Sequence, residues 1–506
     1  MRNRTIFLAL ESLSLLGVSC HQEVTEMPSI IFILADDLGY GDMSYLNQRG
    51  KVKTPHFDRL AESGVVFTDA HSSSAVSTPT RYGILTGRYN WRSTLKQNVL
   101  GSYDKPLITP NRITLPEMLK RQGYRTGCIG KWHLGMDFST TDGKEPVDNG
   151  QAYNIDFTKP LIGGPCDNGF DYYFGVNVPN YPPYCFIENR NTMDIPDTFY
   201  PANNEKDCRL GRGLQDWKLE EVLPALERKA VEFIHQSAGQ DQPFFLYFPL
   251  TSPHTPIVPT SDFLDQSDLN IYADFVMQTD GVIGSIVKAL EDNKITENTI
   301  VIFASDNGCS PRADFSFLKE RGHHPSYIFK GMKADLFEGG HHIPCVVNWP
   351  AQLKHHVVEQ TICLTDFMAT FAAITGDALA DNEGEDSYNI LPLLTQPGYP
   401  ETIREATVHH SIDGSFAIRQ GKWKLLLASY SGGWSEPKTP QKDAPVYQLY
   451  DLVQDAGETN NLYESYPEVA EKLRLLLVRY VKEGRSTPGK PQNNDTENTW
   501  EQLNFF

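Results

Sequence analysis

Ser77 and Arg81 stand four residues apart in Ser77-Thr78-Pro79-Thr80-Arg81, a run that continues Tyr-Gly-Ile-Leu-Thr86-Gly87-Arg88. Ser77 and Thr78 are helix-capping residue types, Pro79 suits a first helical turn, and Tyr82 to Leu85 continue a helix. A helix begun here aims free N–H groups and its positive dipole end at an anion. Arg81 adds a planar cation able to grip two anionic oxygens. The chemistry is therefore that of a hydroxyl nucleophile beside an anion-binding helix start. A five-residue core of this kind is also an ordinary helix cap. The extension through Thr86-Gly87-Arg88 is what sets this one apart.

Other clusters carry complementary groups. Asp36-Asp37 and Asp306-Asn307 offer three carboxylates and one amide oxygen. Such an all-oxygen set suits a hard cation, and calcium tolerates an irregular cage better than magnesium. Each pair is also a good turn sequence. Lys131 and His133, at i and i+2 of Gly-Lys-Trp-His-Leu-Gly, face the same way on an extended segment. His254 lies in Ser-Pro-His-Thr-Pro, where prolines restrict the backbone on both sides. Lys333 lies in a turn-rich stretch ending Glu338-Gly339-Gly340, and Lys330 competes for the same role.

The elements that must position these groups are short apolar runs. Residues 29–35, 125–130, 244–250 and 299–305 end at Asp36, Lys131, the segment before His254, and Asp306. Helical patterns at 113–122, 219–236 and 271–292 lie among them. This alternation predicts βαβ units, hence an α/β fold with a mostly parallel central sheet flanked by helices. Ligands of such sheets bind beyond the carboxyl ends of the strands, which makes the four clusters candidates for one site. Segment 137–215 is rich in Pro, Gly, Asn and aromatics and reads as long loops with a few strands, either shaping a substrate pocket or merely structural. A composition change near residue 400 divides a catalytic domain, 27–400, from a smaller domain, 401–506. In the latter, 415–418, 423–427 and 447–450 read as strands. Pro467–Glu483 reads as an amphipathic helix with Val469, Leu473, Leu476, Leu477 and Tyr480 on one stripe. The polar tail after Gly484 is expected to be poorly ordered.

The 506 residues carry a formal net charge of -19, with 40% hydrophobic and 22% charged residues. That balance argues against nucleic-acid binding, which needs a basic footprint. An anionic substrate needs a local cationic pocket instead. Residues 1–20 resemble an export signal: Arg2 and Arg4 precede an apolar stretch from Ile6 to Val18, interrupted by Glu11. Leu16-Gly17-Val18-Ser19-Cys20 resembles a bacterial lipoprotein box, with Gly17 where Leu is usual. Either simple cleavage or a lipid anchor at Cys20 follows, in the periplasm or on the outer membrane of a Gram-negative cell. No other stretch is long enough to span a bilayer. Of eight cysteines, Cys166 is a candidate to bridge Cys185 or Cys208. Cys128, Cys345 and Cys363 read as small core residues.

These motifs, in this order, resemble the type I sulfatases of the alkaline phosphatase superfamily. The resemblance covers about residues 28–350 and the pieces Gly-Lys-Trp-Lys-Leu and Leu-Tyr-Asp-Leu-Val-Gln-Asp-Ala-Gly-Glu-Thr-Asn-Asn-Leu near 421–462. It implies an alkaline phosphatase-like fold with a small C-terminal domain of antiparallel sheet plus helix. It also implies that Ser77 is oxidised to formylglycine by a serine-type maturase of a bacterium. Asp36, Asp37, Asp306 and Asn307, with the Ser77 position, would hold one calcium ion. Arg81, Lys131, His133, His254 and Lys333 match positions that bind sulfate or handle protons. The chain reads Gly-Gly-His341-His342-Ile-Pro where many members have Arg in place of His342. The implied activity is hydrolysis of a sulfate ester on a carbohydrate, such as galactose or N-acetylgalactosamine sulfate of mucin O-glycans or glycosaminoglycans. His323, His324, Arg312, Tyr181 and Tyr184 are candidate sugar contacts. The alternatives are a phosphatase or phosphodiesterase of the same superfamily, and a sulfoglycan-binding protein whose Ser77 stays unmodified.

Overall fold

The computed structural model describes residues 26–147, 153–497 and 499–503. The expected export signal and Cys20 lie outside the described residues. At the centre is β1 (Ser29–Asp36), Ser-Ile-Ile-Phe-Ile-Leu-Ala-Asp, whose residues Ile30 to Ala35 have no solvent exposure. A strand covered on both faces has no need to alternate, which is why it reads as a continuous apolar run. Around it lie β2 (Val65–Phe67), β3 (Arg125–Lys131), β4 (Tyr172–Val176), β5 (Ile187–Glu188), β6 (Asn191–Thr192), β7 (Phe244–Pro253), β8 (Thr299–Ser305), β9 (Cys345–Asn348) and β10 (His356–Val358). Their order across the ten-stranded sheet is β10-β2-β9-β8-β1-β7-β3-β4-β5-β6. The run β8-β1-β7-β3-β4 is parallel throughout, and β9, β5 and β6 pair antiparallel with their neighbours.

Alternate β1 side chains enter two cores. Ile30, Phe32 and Leu34 pack with Tyr82, Ile84 and Leu85, and with Met118 and Phe367. Those residues come from α2 (Ser77–Thr86), α3 (Leu115–Arg121) and α6 (Phe367–Thr375). Ile31, Ile33 and Ala35 pack with Phe57, Phe233 and Val276 on the other face. These belong to α1 (Pro55–Ser63), α4 (Val222–Ala238) and α5 (Ile271–Asp292). The helices expected at 113–122, 219–236 and 271–292 are therefore α3 and α4, with ends moved by up to three residues, and α5, with the expected bounds.

A second sheet is antiparallel: β11 (Thr407–His410), β12 (Phe416–Gln420), β13 (Trp423–Leu426) and β14 (Gln448–Asp451), in that order. The helix α7 (Pro467–Glu483) covers one face, packing Leu473, Leu477 and Tyr480 against Phe416, Ile418 and Leu425. The other face puts Ala417, Leu426 and Tyr450 against Leu336 and Phe337 of the larger part. The fold class is the expected one, and β11 is the strand that the sequence reading did not foresee. Two adjacent histidines, both buried, fill half of it.

Two expectations need correction. The tail after Gly484 is anchored: Arg92 donates to Asn494 Oδ1 (3.2 Å), Arg88 pairs with Asp495 (3.1 Å), and Ser486 N–H donates to Asp386 (3.0 Å). A polar tail orders when buried guanidinium groups need its acceptors. The expected bridge from Cys166 to Cys185 or Cys208 is absent, and all three are free thiols. Cys166 and Cys208 instead make long contacts to Asn189 Oδ1 and Lys206 O.

Arg92 is the joint between the parts. It grips Asp386 bidentately (2.7 and 2.9 Å) and donates to the Tyr480 carbonyl of α7 (2.8 Å), with both charged side chains fully buried. Removing one partner of such a pair strands the other charge. Asp386→Ala is therefore expected to cost about 3–5 kcal/mol of unfolding free energy. Denaturant melts of the purified protein would read this. Limited proteolysis should cut beyond residue 484 in the variant before the wild type.

Candidate functional site

The helix α2 begins at Ser77, one residue later than a capping serine would require. Extended Val76 occupies the cap and donates no side-chain bond. The Ser77 hydroxyl is thus spent on no cap. It lies 3.2 Å from Asp36 Oδ1 and 3.3 Å from Lys131 Nζ. The helix ends on Gly87, whose φ of 60° is the left-handed conformation that favours glycine at a C-terminal cap.

The strand ends deliver the partners. Asp36 closes β1, where the register against β7 slips between Leu34 and Asp36. Asp37 follows with φ 64°, a left-handed conformation aspartate tolerates. Lys131 closes β3, Asp306 follows β8 and His254 follows β7. Lys131 Nζ donates to Asp36 Oδ2 (2.7 Å). Arg81 donates to Asp306 Oδ2 (2.8 Å), lies 3.6 Å from Asp36, and donates to the Lys131 carbonyl (3.1 Å). Lys333 Nζ donates to Asp37 (2.6 Å), with His254 Nε2 3.7 Å from the same carboxylate. Lys330 instead reaches the Glu458 carbonyl (3.3 Å), so of the two lysines it is Lys333 that contacts these carboxylates.

Burial alone would raise the Asp36 carboxyl, but Lys131, His254 and Arg81 outweigh it and hold it at about 2. Burial also opposes ionisation of Asp37, and Lys333 and His254 bring it below the ordinary 3.8. The two lysines diverge. Burial dominates at Lys131 and lowers it, whereas Asp37 and Asp36 override burial at Lys333 and raise it. Burial lowers His254, with Asp36 and Asp37 opposing. His133 is pushed well below 6.5 by burial, then by Lys131 and Arg81. Its Nε2 faces the Leu100 carbonyl (3.0 Å), so the proton belongs there and Nδ1 carries the lone pair.

At this site three buried polar atoms have no partner among the described residues: His133 Nδ1, Arg81 Nε and Asn307 Oδ1. Buried polar groups are normally satisfied, so each orphan calls for a bound group. The Asn307 amide donates to Asp37 Oδ1 (2.8 Å), leaving its oxygen among three carboxylates. Ligating atoms of Asp36, Asp37 and His254 lie within 4.8 Å of one another. This donor set fits a hard divalent cation. Arg81 Nε fits an anion, and His133 Nδ1 fits a proton donor.

A cavity of about 600 Å³ opens above, lined by Ser77, Asp37, His133, His254 and Lys333. Arg81 and Lys131 are fully buried beside Ser77, behind the residues that line it. Of the expected sugar contacts, Arg312 and Tyr181 line this cavity. His323 does not: it is fully buried, bonded to Asp42 Oδ1 (2.8 Å) and accepting from Lys51 N–H (3.1 Å). His324 lines neighbouring grooves with Tyr327. Tyr184 is buried with its hydroxyl on the carbonyls of Asn180 and Arg209. Sequence reading missed Asp207, Arg209, Asn180 and Trp434. They lie in loops without periodicity, where no local signal marks them.

The family model described as Sulfatase matches residues 28–377. An N-acetylgalactosamine-6-O-sulfatase of Bacteroides thetaiotaomicron is 32% identical, covering 94% of this chain and 99% of that protein. Human arylsulfatase A is 28% identical over 92% of this chain and 90% of its own. A solved Bacteroides thetaiotaomicron chain, from work on the metabolism of multiple glycosaminoglycans, superposes with a TM-score of 0.78 at 31% identity. It covers 90% of this chain and 99% of that one.

Asp36 also sets an acid limit. Its folded value lies below its unfolded 3.8, so its stabilisation is complete above 3.8 and is lost as pH falls toward 2. In chelator-treated protein this amounts to about 2 kcal/mol. Urea melts between pH 5 and 3 should show a shallower decline for Asp36→Asn than for wild type.

Proposed function

The chain belongs to the sulfatase family and is a sulfuric ester hydrolase; from that premise we propose that it removes sulfate from a glycan through formylglycine made from Ser77. The observation that carries this reading is the Ser77 hydroxyl itself. It is held by no helix cap, sits between Asp36 and Lys131, and stands at the start of a buried helix beside Arg81. Galactose or N-acetylgalactosamine sulfate is the proposed substrate, supported by the 32% identity to an N-acetylgalactosamine-6-O-sulfatase. Export to the periplasm or anchoring at Cys20 is proposed from the first twenty residues. Among the described residues no helix is long and apolar enough to cross a membrane.

Asp36, Asp37, Asp306 and Asn307 would hold one calcium ion, whose charge acidifies an oxygen beside it. The aldehyde at position 77, in hydrated form, supplies an oxygen nucleophile that later releases sulfate without water attack at sulfur. The side chains do the rest. Arg81, Lys131 and Lys333 neutralise charge on the sulfuryl oxygens in a preformed, water-poor pocket. His254 keeps its Nδ1 on the Thr255 carbonyl (2.6 Å), so Nε2 is the atom that protonates the departing sugar oxygen. His133 Nδ1, unpartnered, accepts the proton given up when the position-77 hydroxyl expels sulfate.

Peptide mass spectrometry of protein made with a working serine-type maturase should show loss of two hydrogens at Ser77. An unmodified Ser77 would sink the mechanism. Ser77→Ala should abolish sulfate release from glycan substrates. EGTA should suppress activity, with calcium restoring it. Because the proposed acid His254 lies below 6.5, kcat/KM should fall on the alkaline side with a limb below that value, and His254→Ala should remove the limb.

A further inference from the structure

Asp207 stands in the cavity wall and belongs to none of the groups given a role above. Its backbone is fixed. It adopts φ 57°, and Asn180 Nδ2 donates to its carbonyl (3.0 Å). Asn203 and Cys208, on either side, exchange two backbone bonds of 2.8 and 2.9 Å. The carboxylate is fixed as well. Oδ1 accepts from Arg312 Nη2 (3.1 Å) and Oδ2 accepts from the Thr255 hydroxyl (3.0 Å). The Arg312 and Asp207 side chains are 50% and 41% exposed. A pair so open to water contributes little stability, so stability does not account for an arrangement this ordered.

Thr255 ties the carboxylate to the acid. Its hydroxyl lies 3.4 Å from His254 Nδ1, so two short contacts separate Asp207 from the His254 ring. A sugar whose sulfated oxygen meets His254 Nε2 therefore places hydroxyls of its own ring within reach of Asp207. A carboxylate has about four acceptor positions; Arg312 and Thr255 occupy two, and Asn180 Nδ2 makes a longer contact of 3.4 Å to Oδ2, which leaves a position on Oδ1. Arg312 lines the same cavity, with Nη1 3.5 Å from the Asn204 carbonyl, and a guanidinium carries five N–H donors. A hydroxyl both donates and accepts, which an Asp–Arg pair matches. A second sulfate or a uronate carboxylate would be repelled by Asp207.

We propose that Asp207 and Arg312 read a ring hydroxyl of the sugar that carries the scissile sulfate, making them the pair that selects the sugar. This rests on the glycan-sulfatase reading. The test uses Asp207→Asn, Arg312→Ala and the double variant with N-acetylgalactosamine 6-sulfate and its ring-deoxy analogues. Inhibition by inorganic sulfate serves as the probe of the anion pocket. The expected result is a roughly ten- to hundredfold fall in kcat/KM for each single variant, the cost of losing one charge-assisted hydrogen bond. The double variant should fall little further, since both residues serve one hydroxyl. One deoxy analogue, already poor with wild type, should be unaffected by the substitutions, and inhibition by sulfate should be unchanged. An equal loss on all sugars together with weakened sulfate inhibition would make Asp207 a structural residue and overturn the proposal. So would unchanged kinetics. Wild-type protein that turns over no hexosamine sulfate would remove the glycan reading itself, an outcome distinct from active wild type with indifferent variants.

Discussion

Six buried charges at the carboxyl ends of parallel strands are the constraint on which the rest of this molecule depends. Asp36, Asp37 and Asp306 face Arg81, Lys131 and Lys333, and only contacts of 2.6–2.8 Å make their burial tolerable. A lone charge in such a place would neutralise itself or unfold its surroundings. The arrangement therefore demands rigid elements. β1, β3 and β8 bring three of the charges to their own ends. A wholly buried helix brings Arg81, and a tight loop brings Lys333.

That loop is held from behind by the second sheet. Lys424, on β13, donates to Glu338 (2.9 Å), Glu458 (2.8 Å) and the His341 ring (3.1 Å). Glu338 begins the turn whose Gly340 carbonyl accepts from Gly308 N–H (2.9 Å), directly after Asn307. The approach is so close that a Cβ on Gly308 would meet the Gly339 carbonyl at 1.8 Å. His342 bonds Glu338 Oε2 and the Thr68 carbonyl, both at 2.8 Å, and so serves this buttress rather than the cavity. The second sheet is thus a structural support for the segment that carries Lys333 and meets Gly308, which accounts for the buried ion pairs of Lys424 with Glu338 and Glu458.

The sequence made the strand-end clusters legible because parallel core strands are unbroken apolar runs, and the first polar residue after each run marks its end. Asp36, Lys131 and Asp306 were visible on that ground. Which of Lys330 and Lys333 meets Asp37 is not legible, since a turn-rich segment has no periodicity to orient it. His323 looked like a sugar contact because histidine in a polar loop carries no sign of burial, and its Asp42 partner lies 281 residues away. Arg88 reads as the end of a catalytic signature, yet together with Arg92 it anchors the tail, a pairing no local pattern encodes. The pocket mouth was unread for the same reason: Asp207 meets Thr255 and Arg312 only in three dimensions.

Charge counting then says how such a pocket favours reaction over mere binding. Three carboxylates and three cations cancel, so the protein's own groups are near neutral within a chain of net charge -19. With a divalent cation in its place the pocket carries two positive charges. A sulfate ester brings one negative charge, whereas the departing sugar oxygen and the released sulfate develop a second. The match is closer late in the reaction than at its start, the condition under which electrostatic preorganisation lowers a barrier rather than only tightening a complex. The same match makes sulfate a good occupant of the site. Selectivity for the sugar must then come from neutral hydroxyl contacts at the mouth, because the anion pocket by itself distinguishes one sulfate from another poorly.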